Sequence, residues 1–216
     1  MRKKAVINIA AVIGIAVISA VILYETMFRG SLLLEAGLLG IFLAAMFSHL
    51  TVIGRDMFVP LLLNLMAYYN PFLLGFAAGL GAALGEVSTY YWGLGIQEAF
   101  KEDSQSTIVK KWIDKYGLLA ILLVASSPLP DTPIVLLAGT TRFPFKKFMA
   151  IQIVGKITFY SLGAVVGGAI FQGLSNYVEE WILSAAVLVC SILLCVLASW
   201  GKSREWLLQN LRKILH

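Results

Sequence analysis

Long apolar runs alternate along the chain with short polar interruptions, and run length sets the first expectations. Ala5 to Leu23, Pro71 to Ile96, Met149 to Phe171 and Trp181 to Trp200 each read as a membrane span. A helix needs about 20 apolar residues, at about 1.5 Å of rise each, to cross a hydrocarbon core. Two other regions fall short. Gly117 to Ala125 and Ile134 to Thr140 are apolar runs of nine and seven residues, separated by Pro128, Pro130, Pro133 and one carboxylate, Asp131. Proline lacks the amide donor and disfavours helix in the residue before it, so the two runs cannot fuse into one span. The expected outcome is a hairpin that enters the membrane and returns to the same side. Irregular backbone at that depth is tolerated only where protein covers it or where it lines a wet cavity. Ser31 to Ser48 and Met57 to Ala67 flank a second polar break, His49 to Asp56.

The polar segments carry helical patterning of their own. Ile108, Val109, Trp112, Ile113 and Tyr116 recur at helical spacing within Gln97 to Tyr116, with Lys110, Lys111 and Lys115 on the other side. That pattern predicts an amphipathic helix at the membrane interface, and the tail Lys202 to His216 predicts another. Fourteen of the seventeen basic residues fall in four clusters: Arg2 to Lys4, Lys101 to Lys115, Arg142 to Lys147 and Lys202 to Lys213. Short loops rich in Lys and Arg stay cytoplasmic. With all four clusters inside, Gly117 to Phe143 must begin and end inside, and Ser31 to Asn70 must begin and end outside. The expected fold is therefore an all-α integral membrane protein. It has about four transmembrane helices, two opposed re-entrant helical hairpins in an inverted repeat, and interfacial amphipathic helices. Both termini are expected in the cytoplasm, with the chain in the plasma (inner) membrane. It divides into an N-terminal span and linker (1–30), a core of two hairpin-plus-span units (31–172), and a last span with a basic tail (173–216).

The two units overlay in sequence. Arg55-Asp56 followed by Gly85-Glu86-Val-Ser-Thr-Tyr-Tyr91 is matched by Pro130-Asp131 followed by Gly155-Lys156-Ile-Thr-Phe-Tyr160. Units entering from opposite sides are the inverted-repeat pattern of many transporters, whose sites lie at mid-membrane between broken helices.

Composition agrees with a membrane class. Hydrophobic residues are 59% of 216, charged residues 13%, and mean hydropathy is +0.85, which describes one compact integral membrane domain. A net charge of +5 does not point to nucleic acid, because fourteen of the seventeen basic residues fall in the short loop clusters. The apolar run Ala5 to Leu23 exceeds a signal peptide's core and lacks a small-x-small cleavage site before Glu25, so it reads as a retained span. Cys190 and Cys195 share one apolar run and read as small packing residues. There is no phosphate loop, dinucleotide glycine pattern or nucleophile elbow. Two distant histidines make no zinc site, so neither metal nor cofactor is expected.

Ionisable residues in apolar surroundings carry the candidate chemistry, since charges at bilayer depth usually face a bundle interior or a wet path. They are His49, Arg55, Asp56, Glu86, Asp131 and Lys156, with Glu35 near the start of its run and given no role; Arg142 either joins them or anchors the cytoplasmic edge. Glu86 and Lys156 lie at similar depth, which suits a pair that either braces two helices or takes part in transport. Asp56 and Asp131 at the breaks suit helix N-caps or, with Arg55 and Arg142, a polar crevice. His49 suits a hydrogen-bonded structural role or a charge switch near neutrality.

This order of motifs resembles the DedA/VTT membrane family, the SNARE-associated Golgi proteins. The resemblance is carried by Gly37-Leu-Leu-Gly-Ile-Phe-Leu43, Asp56-Met-Phe-Val-Pro60, Gly81-Ala-Ala-Leu-Gly-Glu86 and Tyr90-Tyr-Trp-Gly93. Lys115-Tyr-Gly117, Pro128, Leu136-Leu-Ala-Gly139, Arg142-Phe-Pro144, Lys147-Phe148 and Gly155 extend it. It implies two opposed re-entrant helices and movement of lipids between leaflets: polyprenyl-phosphate carriers in bacteria, phospholipid scrambling in eukaryotes, with some bacterial members proton-coupled. The chain departs from the family where His49 falls near a usual glutamate and the nearby prolines are missing. It departs again where Ala125 and Asp131 stand at the usual arginine positions. The function expected is a lipid translocase acting on phospholipid or polyprenyl-phosphate headgroups, with membrane lipids as partners. The alternatives are a proton-coupled transporter of a small solute or ion, and a non-catalytic assembly factor; homo-oligomerisation is left open.

Overall fold

The computed structural model describes residues 3–28, 35–51, 54–55, 57–66, 68–100 and 107–175, together with Ile182 and Val189. Among the described residues there are seven α-helices and no strand. They are α1 (Lys3–Phe28), α2 (Gly37–Leu50), α3 (Val59–Leu65), α4 (Pro71–Phe100), α5 (Thr107–Ala125), α6 (Thr132–Thr140) and α7 (Phe145–Ser175). Three are long and apolar enough to cross a membrane, over Ile7–Tyr24, Pro71–Ala99 and Phe145–Ala169. The fourth expected span, Trp181 to Trp200, lies outside the described residues apart from Ile182 and Val189, as do the tail Lys202 to His216, both cysteines and Asp56.

Helix α4 is the centre of the bundle and packs against α1, α2, α6 and α7. Close glycine contacts fix the directions of its neighbours. Gly75 lies against Tyr160 and Ser161, and Gly79 against Lys156 and Ile157, so α7 runs antiparallel to α4. Gly81 lies against Phe42 and Met46, and Gly85 against Met46 and His49, so α2 runs parallel to α4. The two small-residue pairs of α4, which look alike in sequence, therefore serve two different partners.

The chain then doubles back. Met66, just past α3, lies beside Gly168 of α7, and Tyr69 lies against Gly37 at the start of α2. The first unit thus begins and ends at one level, near the start of α4. A second unit does the same at the other end. Gly155 of α7 lies against Ala125 and Ser126, α6 packs on α4 through Gly93 and Gly139, and Phe143 returns to the side of Gly117. In each unit the first arm packs on the unit's own long helix; the second arm of the second unit crosses to α4, while that of the first unit, α3, touches both long helices.

The breaks are built locally. In the first, Thr51 Oγ1 donates to the Ser48 carbonyl at 2.7 Å and accepts from the Gly54 amide at 2.9 Å, so side chains take the place of the lost helical bonds. In the second, Ser126 Oγ donates to the Leu122 carbonyl at 2.8 Å and Ser127 Oγ to that of Val124 at 3.0 Å, ahead of the prolines. Both second arms carry proline at their first turn, where the missing amide costs nothing.

One expected element is differently bounded. Gln97 to Tyr116 does not form a separate interfacial helix: Gln97 to Phe100 continue α4, and Thr107 to Tyr116 run without interruption into Gly117 to Ala125 as α5. A single glycine costs a helix interior only about 1 kcal/mol. Gly117, seated beside Ile113 and Phe143, has no proline or cap to end the helix.

Two apolar clusters form the core. One gathers Ile41, Phe58, Leu62, Leu74 and Ala78 around the first unit; the other gathers Ile113, Ile121, Val135, Phe143 and Phe148 around the second. The buried charges lie between them.

Candidate functional site

Glu86 lies about 22 Å from the start of α4 and about 21 Å from its end, halfway along the helix. Its side chain is fully buried. Arg55, from the first break, grips both its oxygens, donating from Nη1 to Oε1 and from Nη2 to Oε2 at 2.9 Å each. Such bidentate charge-assisted pairing is the strong form of the interaction. Arg55 Nη2 also donates to Thr89 Oγ1 at 3.0 Å. Lys156, from α7, places Nζ 3.3 Å from Glu86 Oε1. Asp131, from the second break, pairs with Arg55 through Oδ1 and with Lys156 through Oδ2.

The four charges therefore close a ring of alternating sign, Arg55–Glu86–Lys156–Asp131, in which each cation meets both anions. Its side chains are 13%, 0%, 7% and 6% exposed respectively, so the ring is out of water, and it is neutral in sum. Four elements contribute one member each: the two breaks, α4 and α7. Asp131 occupies the N-cap position of α6, but its side chain makes no capping bond; the carboxylate is committed to the ring.

Aromatic clusters lie one helical turn from the ring charges, at Tyr160 after Lys156 and at Tyr90 after Glu86. Toward the start of α4, Phe58 packs between His49 and Tyr160, with ring centroids at 5.9 and 5.3 Å. His49 is buried, with Nδ1 3.0 Å from the Ala45 carbonyl and Nε2 3.2 Å from Tyr160 Oη. A ring nitrogen facing a carbonyl must carry the proton, so Nδ1 donates and Nε2 accepts from the tyrosine hydroxyl. That satisfies the neutral imidazole at both nitrogens. Toward the other end, Tyr90 packs on Phe145 and Phe148 at 5.3 and 4.9 Å, and its hydroxyl donates to the Phe143 carbonyl at 2.7 Å.

Arg142 is not in the ring. It follows α6, donates from Nε to Gln97 Oε1 at 3.0 Å, and is exposed. Gln97 lies about 16 Å further along α4 than Glu86. The Arg142 backbone has φ of 55°. With the Phe143 amide donating to the Ala138 carbonyl at 2.9 Å and the Arg142 amide to that of Gly139 at 3.1 Å, it ends α6 in a position usually held by glycine.

Residues that sequence reasoning did not single out complete the site. Thr89 holds Arg55, and Tyr160 links His49 to the Lys156 side of the ring. Gln152, one turn before Lys156, is fully buried, and neither its Nε2 nor its Oε1 has a hydrogen-bond partner among the described residues. Leaving one such group unsatisfied costs about 1–3 kcal/mol. No group of three or more His, Cys, Asp or Glu able to hold a metal occurs among the described residues.

A family model, the VTT domain, matches residues 53–169, which is 117 of the 216 residues. The chain belongs to the VTT-domain family, the DedA or SNARE-associated Golgi proteins. No curated protein and no solved structure matches it. The matched region takes in all four members of the ring, both breaks after residue 53, and α4 through most of α7. In this chain the matched region comprises long apolar helices and short paired helices around a buried ionic ring whose four charges sum to zero.

Proposed function

We propose that this VTT-domain protein is a translocase for lipid headgroups, moving phospholipid or polyprenyl phosphate between leaflets. In this reading the α2–α3 and α5–α6 units are re-entrant hairpins that dip from opposite membrane faces, forming an inverted repeat with α4 and α7. Trp181 to Trp200 supplies the fourth span, and both termini lie in the cytoplasm. The observation that carries the reading is the ring itself. It joins the tips of both units to both long helices, halfway along α4. Charges held at that depth are costly to keep unless they serve a path, and broken helices meeting at the middle are where transporter sites lie. Hairpins from both sides shorten the apolar barrier, and the ring's charges lower the cost of passing a polar headgroup whose tails stay in lipid. The test is purified protein in liposomes carrying headgroup-labelled phospholipid or polyprenyl phosphate. Accelerated movement between leaflets is expected, and no acceleration with either lipid overturns the reading.

A second reading, proton-coupled transport of a small solute or ion, is favoured by the burial of the four ring side chains, 0–13% exposed, as an occluded site would be. It requires activity that depends on an imposed pH gradient, whereas passive lipid movement does not. The same liposomes, with and without the gradient, separate the two.

A further inference from the structure

We infer that the buried amide of Gln152 is a hydroxyl-binding seat beside the charge ring, where a hydroxyl of the transported molecule docks. The inference rests on the translocase reading for its setting, and on three observations for its chemistry. First, the ring needs no further counter-charge, because every member is already paired with two of opposite sign. Second, the side chain next to it on α7 is the reverse case: Gln152 is fully buried with both the donor Nε2 and the acceptor Oε1 without partners among the described residues. Third, its register places it between the ring and one aromatic cluster. Lys156 is one turn further along α7, and Phe148, packed on Tyr90, is one turn back.

The type of ligand follows from what two orphan atoms of opposite character require. A phosphodiester or ionised carboxylate oxygen only accepts, and would leave Oε1 unmet. An ammonium only donates, and would leave Nε2 unmet. A hydroxyl accepts from Nε2–H while donating to Oε1, so one group satisfies both. It does so without opening any of the ring's ion pairs. Hydroxyls of this kind are carried by polyol or sugar headgroups of lipids and by their free phosphorylated counterparts.

The test compares ligands of equal charge that differ in hydroxyl content. Purified full-length protein in detergent is titrated with short-chain phosphatidylglycerol, with phosphatidylmethanol of the same chain length, and with free glycerol 1-phosphate against methyl phosphate. Binding is read from the shift in thermal unfolding. Phosphatidylglycerol is expected to bind about fivefold tighter than phosphatidylmethanol, the factor for one net hydrogen bond. Gln152→Leu is expected to reduce that ratio to about one while leaving phosphatidylmethanol binding in place, and Gln152→Asn to keep part of it. Preference confined to the lipid pair assigns the seat to a lipid headgroup; preference in the free pair as well extends it to soluble polyols. Equal binding of both members in wild type, or a preference that survives Gln152→Leu, overturns the inference. So does a substitution that shifts the unfolding temperature without ligand and leaves the ratio unchanged, since Gln152 is then structural only. Because binding is measured apart from leaflet exchange, failure of lipid movement would remove the translocase reading without removing the seat.

Discussion

Exchanging the charges of Glu86 and Lys156 distinguishes a ring from a pair. If the two formed an isolated buried pair, Glu86→Lys combined with Lys156→Glu would restore it in mirror image. In the ring, the same exchange puts a cation against Arg55 and a carboxylate against Asp131, so two like-charge contacts replace two attractive ones. Removing one partner of a buried pair costs about 3–5 kcal/mol. Glu86→Gln forfeits two Arg55 bonds at 2.9 Å and the Lys156 contact at 3.3 Å, and should fall in that range. Against a total stability of about 5–15 kcal/mol, this is a large fraction. The swap should cost at least as much as Glu86→Gln alone. The charge-balanced double substitution Glu86→Gln with Lys156→Met, which leaves Arg55 facing Asp131, should cost at least about 2 kcal/mol less than the sum of its two singles. Unfolding in mixed micelles followed by tryptophan fluorescence, run as a double-mutant cycle, gives each number. A swap that regains wild-type stability, or singles that add to within about 0.5 kcal/mol, would refute the ring.

Two further outcomes test the packing around it. Alanine at Gly139 would drive a methyl group into the Tyr90 carbonyl, whereas alanine at Gly163 meets nothing within 4 Å. Gly139→Ala should therefore destabilise by about 1–3 kcal/mol and Gly163→Ala should be neutral or stabilising by up to about 1 kcal/mol. Equal unfolding midpoints for the two would contradict the close α4–α6 approach. His49→Phe should cost about 0.5–1.5 kcal/mol by removing the ring nitrogen 3.2 Å from the Tyr160 hydroxyl, and adding Tyr160→Phe should recover part of that loss. No recovery in the same unfolding assay would show that the 3.2 Å contact contributes nothing.

Run lengths, prolines and basic clusters were enough to read the seven helices' approximate order, because each is a local property of the chain. The repeat register was readable as well: the glycine and charge of Gly85-Glu86 and Gly155-Lys156 occupy matching places, each glycine against the end of a first arm. The Glu86–Lys156 contact was readable from their similar depth, but its closure into a ring through Arg55 and Asp131 was not. Arg55 and Asp131 stand 76 positions apart and meet only because two chain reversals bring both breaks to one level. A helix-capping role for Asp131 is a sound local expectation, and a nearby pair of cations overrides it. Arg142 looked equivalent to Arg55 as a cation near a break, yet the turn after α6 directs it outward to Gln97. Gln152 carries no charge and sits in an apolar run, so nothing in the pattern marks it; only its burial without a hydrogen-bond partner among the described residues does.

The ring also differs from a pair in how it can come apart. Each unit contributes one cation and one anion, Arg55 with Glu86 and Asp131 with Lys156. Moving one unit against the other breaks the Arg55–Asp131 and Glu86–Lys156 contacts but leaves every charge paired within its own unit. Withdrawing both breaks from the long helices leaves Arg55 with Asp131 and Glu86 with Lys156. Neither division strands a charge in an apolar interior; a simple cross-unit pair would strand both. The signs are opposite at matching positions, Glu86 against Lys156, and that inversion makes both divisions balanced. A repeat with the same sign at both positions would repel across α4 and α7, and could not close. An alternating ring therefore holds the two units together at rest while keeping low the electrostatic cost of moving them, as the proposed transport would require if one unit rocks against the other.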